Sequence, residues 1–202
     1  EYSIYEQFFS DYTLIVFFRD PRERLISLYH DLSTKSPENI ASAGDQMKEF
    51  IQVAQKCSLK DFLEQDNELI QRHFSNAMVK RLGESDDLEL ALSRCLHRLD
   101  QKNVHIGITE CMQESLVYLS NVFGWENPEC SYELNVSSKR PMYTDLDEAT
   151  KSLVDEMTLH DRRLYAEAMH RFKSQKKRIR MPKIFSSRQF AGKSFSMSDP
   201  LF

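Results

Sequence analysis

Thr13 to Phe18 reads TLIVFF, and Arg19-Asp20-Pro21-Arg22-Glu23-Arg24 comes directly after it. A continuous apolar, β-rich run without alternation suits a central parallel strand covered on both faces. The next residues read as a helix start. Asp20 is the expected N-cap, Pro21 sits at N1 where its missing N–H costs nothing, and Glu23 is placed to close a capping box. The helix is predicted through about Leu32, with Leu25, Leu28, Tyr29 and Leu32 turned inward. Strand, sharp turn and capped helix make half of a βα unit, which directs the chain toward the α/β class.

Helical patterns dominate the rest of the chain. Ser33 to Gly44 is polar, with Pro37 and Gly44, and reads as a loop. Met47, Phe50, Ile51 and Ala54 mark one helix. Ser58 caps a second containing Leu59, Phe62 and Leu63, followed by Leu69, Ile70, Phe74, Ala77 and Met78. Ser85, Asp86 and Asp87 open a third, with Leu88, Leu92, Cys95, Leu96 and Leu99 inward, while His97 and Arg98 read as solvated. Val104, Ile106 and Ile108 alternate with His105 and Gly107 as a short strand. A helix with Met112, Leu116, Leu119 and Phe123 inward then ends at Gly124. Trp125 reads as a packing residue. A polar loop spans 135–141, and a last helical region runs from about Asp145 to Phe172 with the stripe Tyr165, Ala168, Met169, Phe172. The tail from Ser174 lacks a period and is expected to be extended, so the division is 1–173 and 174–202. Two strands are fewer than an α/β sheet needs. The expectation is a parallel sheet with many helices, incomplete because its first βα unit would lie upstream of Glu1.

The net charge of −4 over 202 residues conceals an asymmetry. Residues 171–193 hold nine basic residues and no acid, while residues 1–170 hold 18 basic against 30 acidic. A basic tail of this kind reads either as a solvated terminus or as a contact for a polyanion through 171–193. No run approaches the roughly 18–20 apolar residues that span a bilayer, so no transmembrane segment is expected. Cys57, Cys95, Cys111 and Cys130 form no C-x-x-C pair, and Cys95 and Cys111 fall at or near apolar helix positions that favour reduced thiols. The six histidines show no metal-ligand spacing, so no metal is expected.

The chemistry concentrates at FFRDPRERLISLY, residues 17–29. Ligands of open α/β sheets sit beyond the carboxyl ends of the strands. Arg19 occupies that end, ahead of a helix N-terminus whose partial positive charge favours anions. Its planar guanidinium suits a phosphate, and the Ser27 hydroxyl lies two turns along the helix. A structural salt bridge at Arg19 and a solvated Ser27 fit the same spacing.

FFRDPRERLISLY resembles the 3'-phosphate-binding motif of the sulfotransferases that include the heparan and uronyl 2-O-sulfotransferases and their bacterial relatives. SLKDFLE, a helix around Arg72, and NVHIGITECMQESLVYLSNVFGW resemble later blocks of that family in order and spacing, across roughly residues 11 to 173. The resemblance implies a P-loop-like fold and 3'-phosphoadenosine 5'-phosphosulfate as donor, with adenosine 3',5'-bisphosphate as product. It implies Arg19 and Ser27 as contacts to the 3'-phosphate and Lys139 and Arg140, in NVSSKRP, as further nucleotide contacts. It implies Arg72 as an acceptor contact and a hydroxyl, of a carbohydrate above all, as acceptor. The family's 5'-phosphosulfate loop and catalytic base precede this strand, so the catalytic residues are expected upstream and little turnover from this chain by itself. Around Arg72 the family often has Asn and Gln where Glu68 and Ile70 stand here. Compact blocks and unpaired cysteines favour a bacterial cytoplasm over the Golgi lumen. The alternatives are a non-catalytic, polyanion-binding fragment and a nucleotide-kinase-like phosphate-binding enzyme.

Overall fold

The computed structural model describes residues 13–126 and 140–178. Strand β1 (Leu14–Phe18) leads into α1 (Pro21–Ser33), then come α2 (Pro37–Ala41), α3 (Asp45–Lys56), α4 (Leu59–Leu63), α5 (Glu68–His73), α6 (Ala77–Gly83) and α7 (Leu88–Leu99). Strand β2 (Val104–Ile108) comes next, then α8 (Met112–Phe123), α9 (Glu148–Met157) and α10 (Leu159–Arg178). Among the described residues the sheet has two strands, parallel and in register from Leu14 beside Val104 to Phe18 beside Ile108. A mostly helical chain around a small parallel sheet is compatible with the α/β class. No described helix is long and apolar enough to cross a membrane.

Two cores hold these elements. One gathers Leu25, Ile26, Phe50, Ile51, Phe62, Ile70, Phe74 and Val154 from α1, α3, α4, α5 and α9. Its centre is aromatic: the Phe62 ring lies 5.3 Å from that of Phe74, 5.4 Å from Phe50 and 5.4 Å from Tyr29. Tilted and edge-on rings at these separations add to area burial. The second core gathers Phe18, Val79, Leu92, Cys95, Ile106, Ile108, Leu164 and Phe172 from both strands, α6, α7 and α10. Strand β1 is less covered than its run of apolar residues predicts. Phe18 is buried, Leu14 to Val16 are half-buried, and Phe17 is 41% exposed. Phe17 lies over its register partner Gly107, where a Cβ would come within 2.4 Å of the ring.

Several expectations change in detail. Residues 33–44 are not all loop, because Ser36 Oγ caps α2 with Pro37 at its first turn. Asp20 caps α1 as expected, its carboxylate accepting from Arg22 and Glu23 N–H. Glu23 does not close a capping box: the Asp20 N–H donates to Glu110 Oε1 at 2.8 Å. Arg98 is buried rather than solvated, donating to the Leu82 carbonyl and pairing with Glu84 at 3.4 Å. A helix end leaves orphan carbonyls, and Arg98 and Arg94 from α7 supply donors to those of α6. The last helical region is two helices broken at Thr158, and α10 continues to Arg178, past Ser174. Met112 and Trp125 are exposed, the latter stacked on Phe123 at 4.8 Å. Cys57, Cys95 and Cys111 are free thiols, and burial pushes Cys95 up to about 12. Cys130 lies outside the described residues.

At the junction of α6 and α10 two side chains exchange caps. Asn76 Oδ1 accepts from the N–H groups of His160 at 2.8 Å and Asp161 at 3.3 Å, at the start of α10. Asp161, 1% exposed, accepts in return from Met78 at 3.1 Å and Val79 at 2.7 Å, at the start of α6. Asn76 adopts φ 47°, a left-handed conformation that asparagine tolerates better than most residues.

Candidate anion-binding site

The backbone that carries Arg19 is fixed on both sides from the end of β2. Thr109 Oγ1 donates to the Phe18 carbonyl at 3.0 Å, and Glu110 accepts from the Asp20 N–H. The second Glu110 oxygen accepts from Tyr165 Oη at 3.0 Å, which ties the turn to α10 as well. Ser115 Oγ accepts from the Ile108 N–H at 2.8 Å and so secures the end of β2 itself. Thr109, Glu110 and Ser115 all belong to the block HIGITECMQESL. Their work is invisible in that block, because the groups they hold lie on the other strand or across a turn.

Held in this way, Arg19 Nη1 donates to Ser27 Oγ at 3.2 Å. The two residues that the sequence singled out are therefore together, at the carboxyl end of a parallel strand and beside the first turns of α1. Both are partly exposed. A guanidinium carries five N–H donors in a planar fork, so one bond to Ser27 leaves donors for an oxyanion.

The first turn of α1 has two contrasting faces. On one, every charge is matched. Arg22 Nε pairs with Asp155 at 2.6 Å and its guanidinium lies 4.3 Å over the Tyr143 ring, while Tyr143 Oη donates to Asp155 at 3.0 Å. Burial raises Asp155, but Arg22 and Tyr143 outweigh it and leave the carboxyl below its usual range. Glu23 accepts from the Tyr143 N–H at 2.9 Å and pairs with Arg140 at 2.8 Å. Arg140 also donates to the Glu23 carbonyl at 3.1 Å. Arg140 thus reaches the same helix as Arg19 and Ser27, but to a carboxylate partner. Lys139 lies outside the described residues.

The other face collects cations. Arg24 Nη1 lies 3.4 Å from the His73 carbonyl, at the end of α5. Arg81 Nη2 lies 2.9 Å from His73 Nδ1, and Arg72 precedes His73 on the exposed side of α5. Burial lowers the pKa of His73, and Arg81, Arg72 and Arg24 lower it further. Burial likewise lowers Arg24; Asp161 opposes this, and Arg81 and Arg19 reinforce it. Arg19 and Arg72, assigned from sequence to two different ligands, therefore flank one cluster whose middle is Arg24, His73 and Arg81. Sequence reasoning missed those three; the signal for His73 and Arg81 was basic residues in the last turns of two short helices, and Arg24 sits in the first turn of α1.

The tail cations divide. Arg171 pairs with Asp100 and Glu167, and Lys176 with Glu114, so both are engaged within the fold. Residues 179–193 lie outside the described residues. No group of three metal-ligating side chains forms among the described residues. Comparison of the chain with protein-family models, with curated proteins and with solved structures found no match.

Proposed function

We propose that this chain carries the 3'-phosphate-binding part of a P-loop-like sulfotransferase that uses 3'-phosphoadenosine 5'-phosphosulfate and transfers its sulfuryl group to a hydroxyl, in the first place of a carbohydrate. The observation that supports this reading most is the Arg19–Ser27 contact at the carboxyl end of a parallel strand. The motif resemblance named those two residues, and they could have folded apart. In this reading a base removes the proton of the acceptor hydroxyl, its oxygen attacks sulfur, and adenosine 3',5'-bisphosphate leaves. Arg19 and Ser27 make no bond in that step. They fix the donor's orientation through its remote phosphate, where binding energy can be used to align the reacting atoms.

A thermal-shift titration with adenosine 3',5'-bisphosphate tests it, with AMP and ATP as controls. A ligand that binds only the folded state at about 100 times its dissociation constant stabilises it by about 2.7 kcal/mol. The expected result is a shift for the bisphosphate that exceeds both controls and disappears in Arg19→Ala. A larger shift with ATP would favour a nucleotide-kinase-like site. Equal, small shifts with all three would remove the assignment.

A further inference from the structure

Five arginines of this fold are paired. Arg22, Arg98, Arg140, Arg163 and Arg171 each meet a carboxylate. Among the described residues Arg94 and Arg162 make no such pair and donate to backbone carbonyls, while Arg19, Arg24, Arg72 and Arg81, also without one, occupy one region. The acid that acts on Arg24, Asp161, is buried and committed to the amides of Met78 and Val79. A single cation near a helix C-terminus gains about 0.3–1 kcal/mol from the dipole, which accounts for one basic residue per helix end. It does not account for the ends of α5 and α6 meeting so that Arg81, Arg72 and Arg24 all act against a proton on His73. Like charges gathered without counter-charge cost stability, and a bound anion removes that cost.

The geometry of His73 supplies a direction. A guanidinium only donates, so Arg81 Nη2 at 2.9 Å makes His73 Nδ1 an acceptor. The neutral ring then carries its proton on Nε2. The cluster therefore offers donors of two kinds, a guanidinium fork and an imidazole N–H, on partly exposed residues next to Arg19 and Ser27.

We propose that His73 and Arg81, supported by Arg24 and flanked by Arg72, form a second oxyanion subsite beside Arg19 and Ser27 that takes a phosphate or sulfate group. It deepens the reading of this face as a phosphate-binding one. Its anion comes either from a second phosphate of the same nucleotide or from a group on another ligand. The tetrahedral oxyanion is common to both.

Inorganic sulfate is the probe, titrated by thermal shift at constant ionic strength against sodium chloride, on the wild-type chain and on Arg19→Ala, Arg81→Ala and His73→Phe. Losing one charge-assisted hydrogen bond costs about 1.5–3 kcal/mol, so Arg81→Ala and His73→Phe are each expected to weaken sulfate by about tenfold or more. Arg19→Ala retains a sulfate response, and the double variant with Arg81→Ala has none. Circular dichroism of each variant without ligand establishes folding, and either Arg81→Ala or His73→Phe suffices if the other unfolds. Unchanged sulfate affinity in the folded variants, or a chloride effect equal to that of sulfate, overturns the subsite. The two readings fail separately. A sulfate response that depends on Arg81 without preference for the bisphosphate leaves the subsite and removes the donor assignment. Preference for the bisphosphate with sulfate indifferent to Arg81 does the reverse. If Arg81→Ala weakens the bisphosphate as well as sulfate, the nucleotide fills the subsite; if it weakens sulfate alone, another ligand does.

Discussion

Asn76 and Asp161 each satisfy backbone amides of the other's helix, and neither role is visible from its own neighbours in sequence. Asp161 is the more open to test, because it is an acid held in the core. Burial raises its pKa above 3.8, against the opposing effect of the two amides it accepts from. The unfolded chain therefore ionises first, and the folded state retains the proton longer. The contribution of this carboxyl to stability is then fully present below 3.8 and is lost as pH rises through the folded value. Urea unfolding of wild type and Asp161→Asn across that range should show the wild type losing ground to the variant as pH increases. A gap independent of pH would contradict it. Removing the side chain is a different matter. Asp161→Ala leaves the Met78 and Val79 amides buried without their acceptor and should cost about 2 kcal/mol at low pH, less as pH rises through the folded value. Arg19 shows the converse at this scale, since its place at a strand end ahead of a capped helix could be read from Asp20 and Pro21 beside it.

At the scale of elements, local signals placed most helices and missed those that depend on distant partners. Ser58 and Asp87 cap α4 and α7, residues that read as helix starts from sequence. Helix α2 buries no side chain, so it left no apolar stripe to read, although Ser36 and Pro37 were the start signal. Glu23 had the spacing of a capping box, but Arg140 and the Tyr143 amide offer it charge and a donor that the Asp20 amide alone cannot match. The end of α10 was missed for a related reason. Gln175 lies beyond the last predicted apolar position, yet its amide acts as a neighbouring strand would. Its Nε2 donates to the Val104 carbonyl at 2.8 Å, and its Oε1 accepts from the Ile106 N–H at 3.1 Å. This occupies backbone groups of β2 that would otherwise invite another chain. Gln175→Ala should speed hydrogen exchange at the Ile106 amide and destabilise the chain by about 1–3 kcal/mol. Exchange at Ile106 as slow as in wild type would show that another group takes over the edge.

For the molecule as a whole, the relative placement of α6 and α7 decides whether the cation cluster exists. Gly83 lets these helices approach closely, since a Cβ there would sit 2.3 Å from the Ala91 carbonyl oxygen and 2.6 Å from Ala91 Cα. Gly83→Ala should force backbone apart at a site with no flexible side chain to yield, costing about 1–3 kcal/mol or more, measured as a fall in the unfolding midpoint. By displacing α6 it should also move Arg81 away from His73 and weaken sulfate binding along with stability. Retained sulfate affinity at lowered stability would separate the two effects. The sequence alone determined the strand, the turn and the capped helix at Arg19, because apolar runs, caps and Pro at N1 act through bonds within a few residues. That Arg19 meets Ser27 was decided by the fold, because Arg19 lies ahead of the N-cap and outside the helical spacing. Only the tertiary structure decided that Arg24, His73 and Arg81 meet beside them, that Arg140 is paired with Glu23, and that Arg98 is buried. Those outcomes depend on which helix ends converge. That is set by packing between residues dozens of positions apart, and charge or periodicity along the chain carries no record of it.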